Sequence, residues 1–150
     1  MATPSYHTLS LQSMDLDTLV QVVEDAQQKA ANHPKWLTAI NTAYDFFLNP
    51  PVDTIQIAKD GTALIPSYTS DTTYAANGVC QCQAFAHHLP CWHRAAARIL
   101  YRYHEALEAE ADSLMHQVEA AENRGDWKTY DKLSERWAKV EALLMEMEVA

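Results

Sequence analysis

Between residues 15 and 31, Leu16, Leu19, Val23, Ala26 and Ala30 recur at helical spacing, which predicts a helix with one apolar face. His33-Pro34 interrupts that rhythm, and Pro34 suits the first turn of a second helix carrying Trp36, Leu37, Ile40, Tyr44, Phe47 and Leu48. Asn49-Pro50-Pro51 ends it, because a proline disfavours helical backbone at the residue before itself. Trp36 and the Phe46-Phe47 pair are expected in the core.

From residue 52 the period falls to two. Thr54-Ile55-Gln56-Ile57-Ala58-Lys59 alternates, Asp60-Gly61 follows, and Thr62-Ala63-Leu64-Ile65 resumes, which predicts a β-hairpin. A two-residue loop would set Ile57 opposite Leu64. A third short strand is expected near Thr72–Ala75, and Asn77-Gly78 marks a further tight turn. After Pro90 the chain reads as helix to residue 150, broken only at Asn123-Arg124-Gly125-Asp126. Tyr103, Leu107, Ala111, Leu114, Val118 and Ala121 form one stripe, and Tyr130, Leu133, Trp137, Val140, Leu144 and Met147 form another. Two such stripes joined by a glycine turn predict an antiparallel helical hairpin, with Trp137 buried near its middle. Whether that seam closes within the chain or between two copies is left open by the pattern.

The fold class that follows is α+β and mostly helical. A small β-hairpin or meander (52–104) lies between an N-terminal helix pair (1–51) and the C-terminal hairpin (105–150), all within one domain, 1–150. A length of 150 residues agrees with one core.

Composition narrows the function. There are only three glycines, Gly61, Gly78 and Gly125, too scattered for a phosphate-cradling loop, so no nucleotide cofactor is expected. The net charge of -9 argues against a whole-surface grip on nucleic acid or anionic lipid. That charge is uneven: residues 1–71 carry -5 and residues 105–150 carry -7, whereas residues 72–104 carry +3 and no acid. Neither a signal peptide in MATPSYHTLSLQSMD nor a membrane-spanning apolar run is visible, so a cytoplasmic location (nuclear in a eukaryote) with reduced thiols is expected.

The cationic window also holds every cysteine. Its skeleton is Cys80-x-Cys82, eight residues, then Cys91-x-His93. On extended backbone, residues two apart face the same side, so Cys80 and Cys82 can reach one centre. On a helix they diverge, and Pro90 resolves this by placing Cys91 at the start of a helix and His93 in its first turn. Three thiolates and one imidazole make a closed tetrahedral site for one structural Zn²⁺, with no open position for a catalytic water. Ferrous iron is the competing metal. His87 and His88 also lie between the cysteines and compete with His93 for the fourth position. The bland readings are three inert buried thiols, a redox pair at Cys80 and Cys82, or a Cys–His nucleophile. The clustering of all three cysteines within twelve residues weighs against the first. The second lacks the Cys-x-x-Cys spacing, and the third lacks an oxyanion-hole glycine.

The pattern Cys80-x-Cys82-x8-Cys91-x-His93, preceded by strands and running into a helix, resembles the SWIM zinc finger over about residues 54–104. Phe85 matches the aromatic that often follows the second cysteine in that family. Gln83, Ala84 and Trp92 depart from its usual proline, acid and basic residue. The resemblance implies binding to DNA or to another protein, and no catalysis.

Arg94, Arg98 and Arg102 stand at i, i+4 and i+8 on the helix after the ligands, a row able to contact phosphates. Their alternative use is to neutralise the thiolate-rich site or pair with nearby acids. Two functions follow. One is a small zinc finger binding nucleic acid, DNA before RNA and weakly when alone. The other is a protein-interaction adaptor whose C-terminal helices bind a partner or a second copy.

Overall fold

The computed structural model describes residues 5–68, 71–77, 79, 80 and 82–147. It is α+β and mostly helical, as the periodicities predict. Four strands form an antiparallel meander in the order β1 (Tyr6–Ser10), β2 (Thr54–Ala58), β3 (Ala63–Pro66), β4 (Thr73–Ala76). The helices are α1 (Leu16–Lys29), α2 (Pro34–Leu48), a single turn α3 (Gln83–Ala86), α4 (Trp92–Asn123) and α5 (Trp127–Met147).

Each helix boundary has a chemical cause. Asp15 caps α1, its carboxylate accepting from the Thr18 backbone N–H at 3.2 Å and from the Thr18 hydroxyl at 2.6 Å. Pro34 occupies the first turn of α2. Gly125, at φ +71°, ends α4. The Asp126 N–H reaches back to the Ala121 carbonyl and the Gly125 N–H to that of Glu122. Asp126 then starts α5 by accepting from the Thr129 N–H at 3.2 Å.

The hairpin loop is longer than predicted. Ala58 N–H donates to Thr62 O, Gly61 N–H donates to Ala58 O, and Gly61 sits at φ +92°. Lys59-Asp60-Gly61 is therefore a three-residue loop, in which glycine takes the left-handed position. Ile57 consequently faces Ala63, and Gln56 faces Leu64. One residue of register exchanges the two faces, so Ala63 and Ile65 are buried in place of Leu64. The strand expected near Thr72–Ala75 is β4, Thr73–Ala76, one residue later. The Asn77-Gly78 turn lies partly outside the described residues.

α4 is the axis of the molecule. At 32 residues it extends about 48 Å, packing against β3, β4, α1 and α2 as well as α5. Its whole predicted stripe, Tyr103 to Ala121, is buried. On α5, Val140, Leu144 and Met147 are buried, so the seam closes within the chain. Trp137 corrects the expectation: it is only half-buried, and its indole N–H reaches the Glu141 carboxylate at 3.2 Å, because a polar tip near the surface finds a partner there.

Arg136 of α5 ties three helices together. Its guanidinium grips both oxygens of the nearly buried Asp15 carboxylate at 3.0 and 3.2 Å, and both of Glu110 at 2.7 and 2.9 Å. The hydrogen bonds from Arg136 hold the Asp15 carboxyl well below the usual carboxylate range, against the opposing effect of burial. The Asp15 N–H donates to the Tyr103 phenol at 2.7 Å, and burial pushes that phenol up to about 12. Glu146 of α5 accepts from the Ser10 N–H at 3.0 Å, sealing the end of β1. Among the described residues no helix is long and apolar enough to cross a membrane.

Candidate metal centre

Cys80, Cys82, Cys91 and His93 converge. All four are buried, and their ligand atoms lie within 4.8 Å of one another. A tetrahedral ion with metal–sulfur bonds of about 2.3 Å places its donors about 3.8 Å apart, so one ion fits among them.

Two short structures bring them together. Cys80 follows β4, and Cys82 directly precedes α3, whose Ala86 N–H returns to the Cys82 carbonyl at 3.1 Å. Cys91 is the extended cap of α4, at φ -117° and ψ 146°, and its Sγ accepts from the Arg94 N–H at 3.4 Å. His93 lies in the first turn beyond it, the arrangement that Pro90 and the Cys-x-His spacing predict. His87 and His88 are exposed, and His88 adopts φ 58°. The histidine drawn into the cluster is His93.

Its imidazole is informative. The ring lies between Tyr74, at a centroid distance of 4.9 Å, and Trp92, at 4.3 Å. Both ring nitrogens are buried and neither has a hydrogen-bond partner among the described residues. Burial lowers its pKa, which keeps the ring neutral and its lone pair available. A buried imidazole without partners is costly unless something coordinates it.

The thiols divide in the same sense. Burial pushes the Cys80 thiol up to about 12 and also raises Cys91. Burial acts on Cys82 too, but hydrogen bonds from the Phe85 and Ala84 amides and from the neighbouring thiols outweigh it and bring its pKa down. Metal binding to such a cluster displaces the thiol protons, so its affinity rises with pH. The donor set fits one ion, and among the described residues no fifth His, Cys, Asp or Glu joins the cluster.

The three arginines do not act alike. The Arg94 guanidinium is pinned between the Trp36 ring at 5.2 Å and the Phe85 ring at 5.1 Å. Its Nε is buried and lacks a hydrogen bond. Arg98 is exposed and has no ion pair among the described residues. Arg102 pairs with Glu105 at 3.1 Å. The row therefore holds one cation packed between rings, one exposed without an ion pair among the described residues, and one already paired. Trp36, expected in the core, is half-buried and serves as the platform for Arg94. Aromatic periodicity alone gave no sign of that role.

Comparison with protein families, curated proteins and solved structures finds no match. The convergence of Cys80, Cys82, Cys91 and His93 accordingly supports a site for one metal ion, and the SWIM resemblance has only their spacing behind it.

Proposed function

We propose that this chain is a zinc-built module of the SWIM-like kind that binds nucleic acid, DNA in the first instance, and performs no catalysis. The carrying observation is the pair of guanidinium groups without an acidic partner among the described residues, Arg94 between its two rings and Arg98 exposed, one helical turn apart and directly beyond the Cys3His cluster. Zinc suits a donor set of three thiolates and one imidazole, and when bound it clamps the segment after β4 onto the start of α4. Just beyond that start, Arg94 lies between the Trp36 and Phe85 rings and Arg98 is exposed. Two neutralised phosphates give a log–log salt slope of about -1.8 on duplex DNA, so binding is weak and salt-sensitive.

The protein-adaptor alternative has less to work with. The seam between α4 and α5 closes within the chain at Val140, Leu144 and Met147, and the exposed apolar residues described on these helices include Met115, Trp127 and Met145. A gel-shift series at increasing salt tests the choice. Replacing Arg94 and Arg98 with glutamine should abolish binding while zinc is retained. Absence of binding at low salt, together with concentration-dependent dimerisation in the ultracentrifuge, would transfer the function to the helices.

A further inference from the structure

Between the N-terminus of α2, the β2–β3 turn and α4 runs a groove of about 560 Å³, within the range of small-ligand sites. Arg94, Arg98 and Tyr101 line one wall, with Trp36 and Asp60 among the facing residues. Arg94 is held by its two aromatic neighbours rather than by an acid, so its charge is fixed in place and still unneutralised. Tyr101 is 46% exposed, and the Gly61 turn rests against it. A Cβ at Gly61 would come within 3.3 Å of the Tyr101 ring, so glycine allows the turn to seat there.

We infer that this groove seats one nucleotide of a single-stranded nucleic acid, with the phosphate on Arg94 and Arg98 and the base against Tyr101. The inference rests on the nucleic-acid reading above and deepens it by naming the strand state and the stacking ring. Cations alternating with an exposed ring suit single strands, because every base offers a π-face once it is unpaired. Asp60 points the same way. Its carboxylate accepts from the Thr62 N–H at 2.9 Å and remains charged, its pKa lowered first by that bond. A duplex backbone sliding through the groove would carry phosphate past this acid. A single nucleotide keeps its phosphate at the arginine side and brings amino donors of the base toward Asp60.

Fluorescence anisotropy with a short labelled single-stranded DNA, the matching duplex and a free mononucleotide tests it on the metal-loaded full chain. The single strand should bind tightest. Tyr101→Ala should weaken it about five- to hundredfold, the range for losing one stacked base, and Tyr101→Phe should restore it. Arg98→Gln should reduce the salt slope by about 0.7. Metal content and far-ultraviolet dichroism, unchanged in each variant, separate lost contacts from lost fold. Equal binding of duplex, with no effect of Tyr101→Ala, overturns this inference and leaves the arginine-based reading in place. Binding of neither strand nor duplex at low salt overturns both. A mononucleotide that binds as tightly as the strand assigns the groove to a small ligand and overturns the strand.

Discussion

Between Thr73 and Cys91 the described residues that are buried are Ala76 and the three cysteines, and the elements there are four residues long. Along α4 and α5 the chain runs for 32 and 21 residues, and α4 buries an apolar side chain at nearly every turn while α5 does so over its last two turns, at Val140, Leu144 and Met147. The first region has too little apolar surface to offset the entropy of ordering its backbone. It needs a cross-link, and the Cys3His cluster supplies the place for one. The second region needs no such device, since each turn of the seam adds its own increment of burial. Two modes of stabilisation, one concentrated in four ligands and one spread over many contacts, thus meet on a single helix.

The sharpest way to break this contrast is to remove the metal. Structural zinc contributes about 10–16 kcal/mol in small finger peptides, so chelation or Cys82→Ser should erase ordered structure around Tyr74 and Trp92. Near-ultraviolet dichroism should collapse while most of the far-ultraviolet helical signal persists. One zinc per chain by elemental analysis should fall to none. Loss of the whole helical signal would show that the two regions do not stand apart.

Within the hairpin, Leu107 is completely buried, and Leu107→Ala should cost about 2–5 kcal/mol in urea unfolding without altering zinc stoichiometry. Arg136→Ala comes next. It leaves Asp15, 6% exposed, without its main counter-charge, and the cost should fall toward the lower end of about 3–5 kcal/mol because Arg136 itself is 29% exposed. The same contact sets a pH dependence. Because the folded Asp15 pKa lies below its unfolded value, its contribution is complete above about pH 4 and is lost as the pH falls through the acid range. Wild type should therefore lose stability on acidification more steeply than Arg136→Ala, as read by thermal melts at successive pH values. The smallest effect belongs to Gly125→Ala. No atom would meet the added Cβ, so only the left-handed backbone matters, at about 1–2 kcal/mol.

The same division governs what could be read from the sequence. The helices were legible because their signal is local and repeated: Pro34, the Tyr103–Ala121 stripe and the Gly125 break each lie where periodicity predicts. The clustering of Cys80, Cys82, Cys91 and His93 was legible because spacing and helix-start geometry constrain candidate metal donors tightly. β1 was not legible, since among its residues only Leu9 is buried and its partner β2 lies more than forty residues downstream. The hairpin register turned on whether Asp60-Gly61 formed the whole loop or only its end. The clasp of Asp15, Glu110 and Arg136 left no trace, because charged residues on amphipathic helices usually face water. Arg94 looked like one member of a row, and nothing in its spacing revealed the two rings that hold it apart from Arg102.

That clasp has a consequence for how the protein is made. Asp15 leaves the ribosome 121 residues before Arg136, an interval of roughly 6–24 s at about 5–20 residues per second. Throughout it, the cap of α1 has Thr18 and water but no guanidinium, and the Ser10 amide likewise awaits Glu146. The nascent N-terminal half must be carried in an unfinished state, open to chaperones and proteases, until α5 is synthesised and folds back across it. In the order of biosynthesis α5 is the closing piece, and premature termination before Arg136 would release a chain with its earliest helix unfastened.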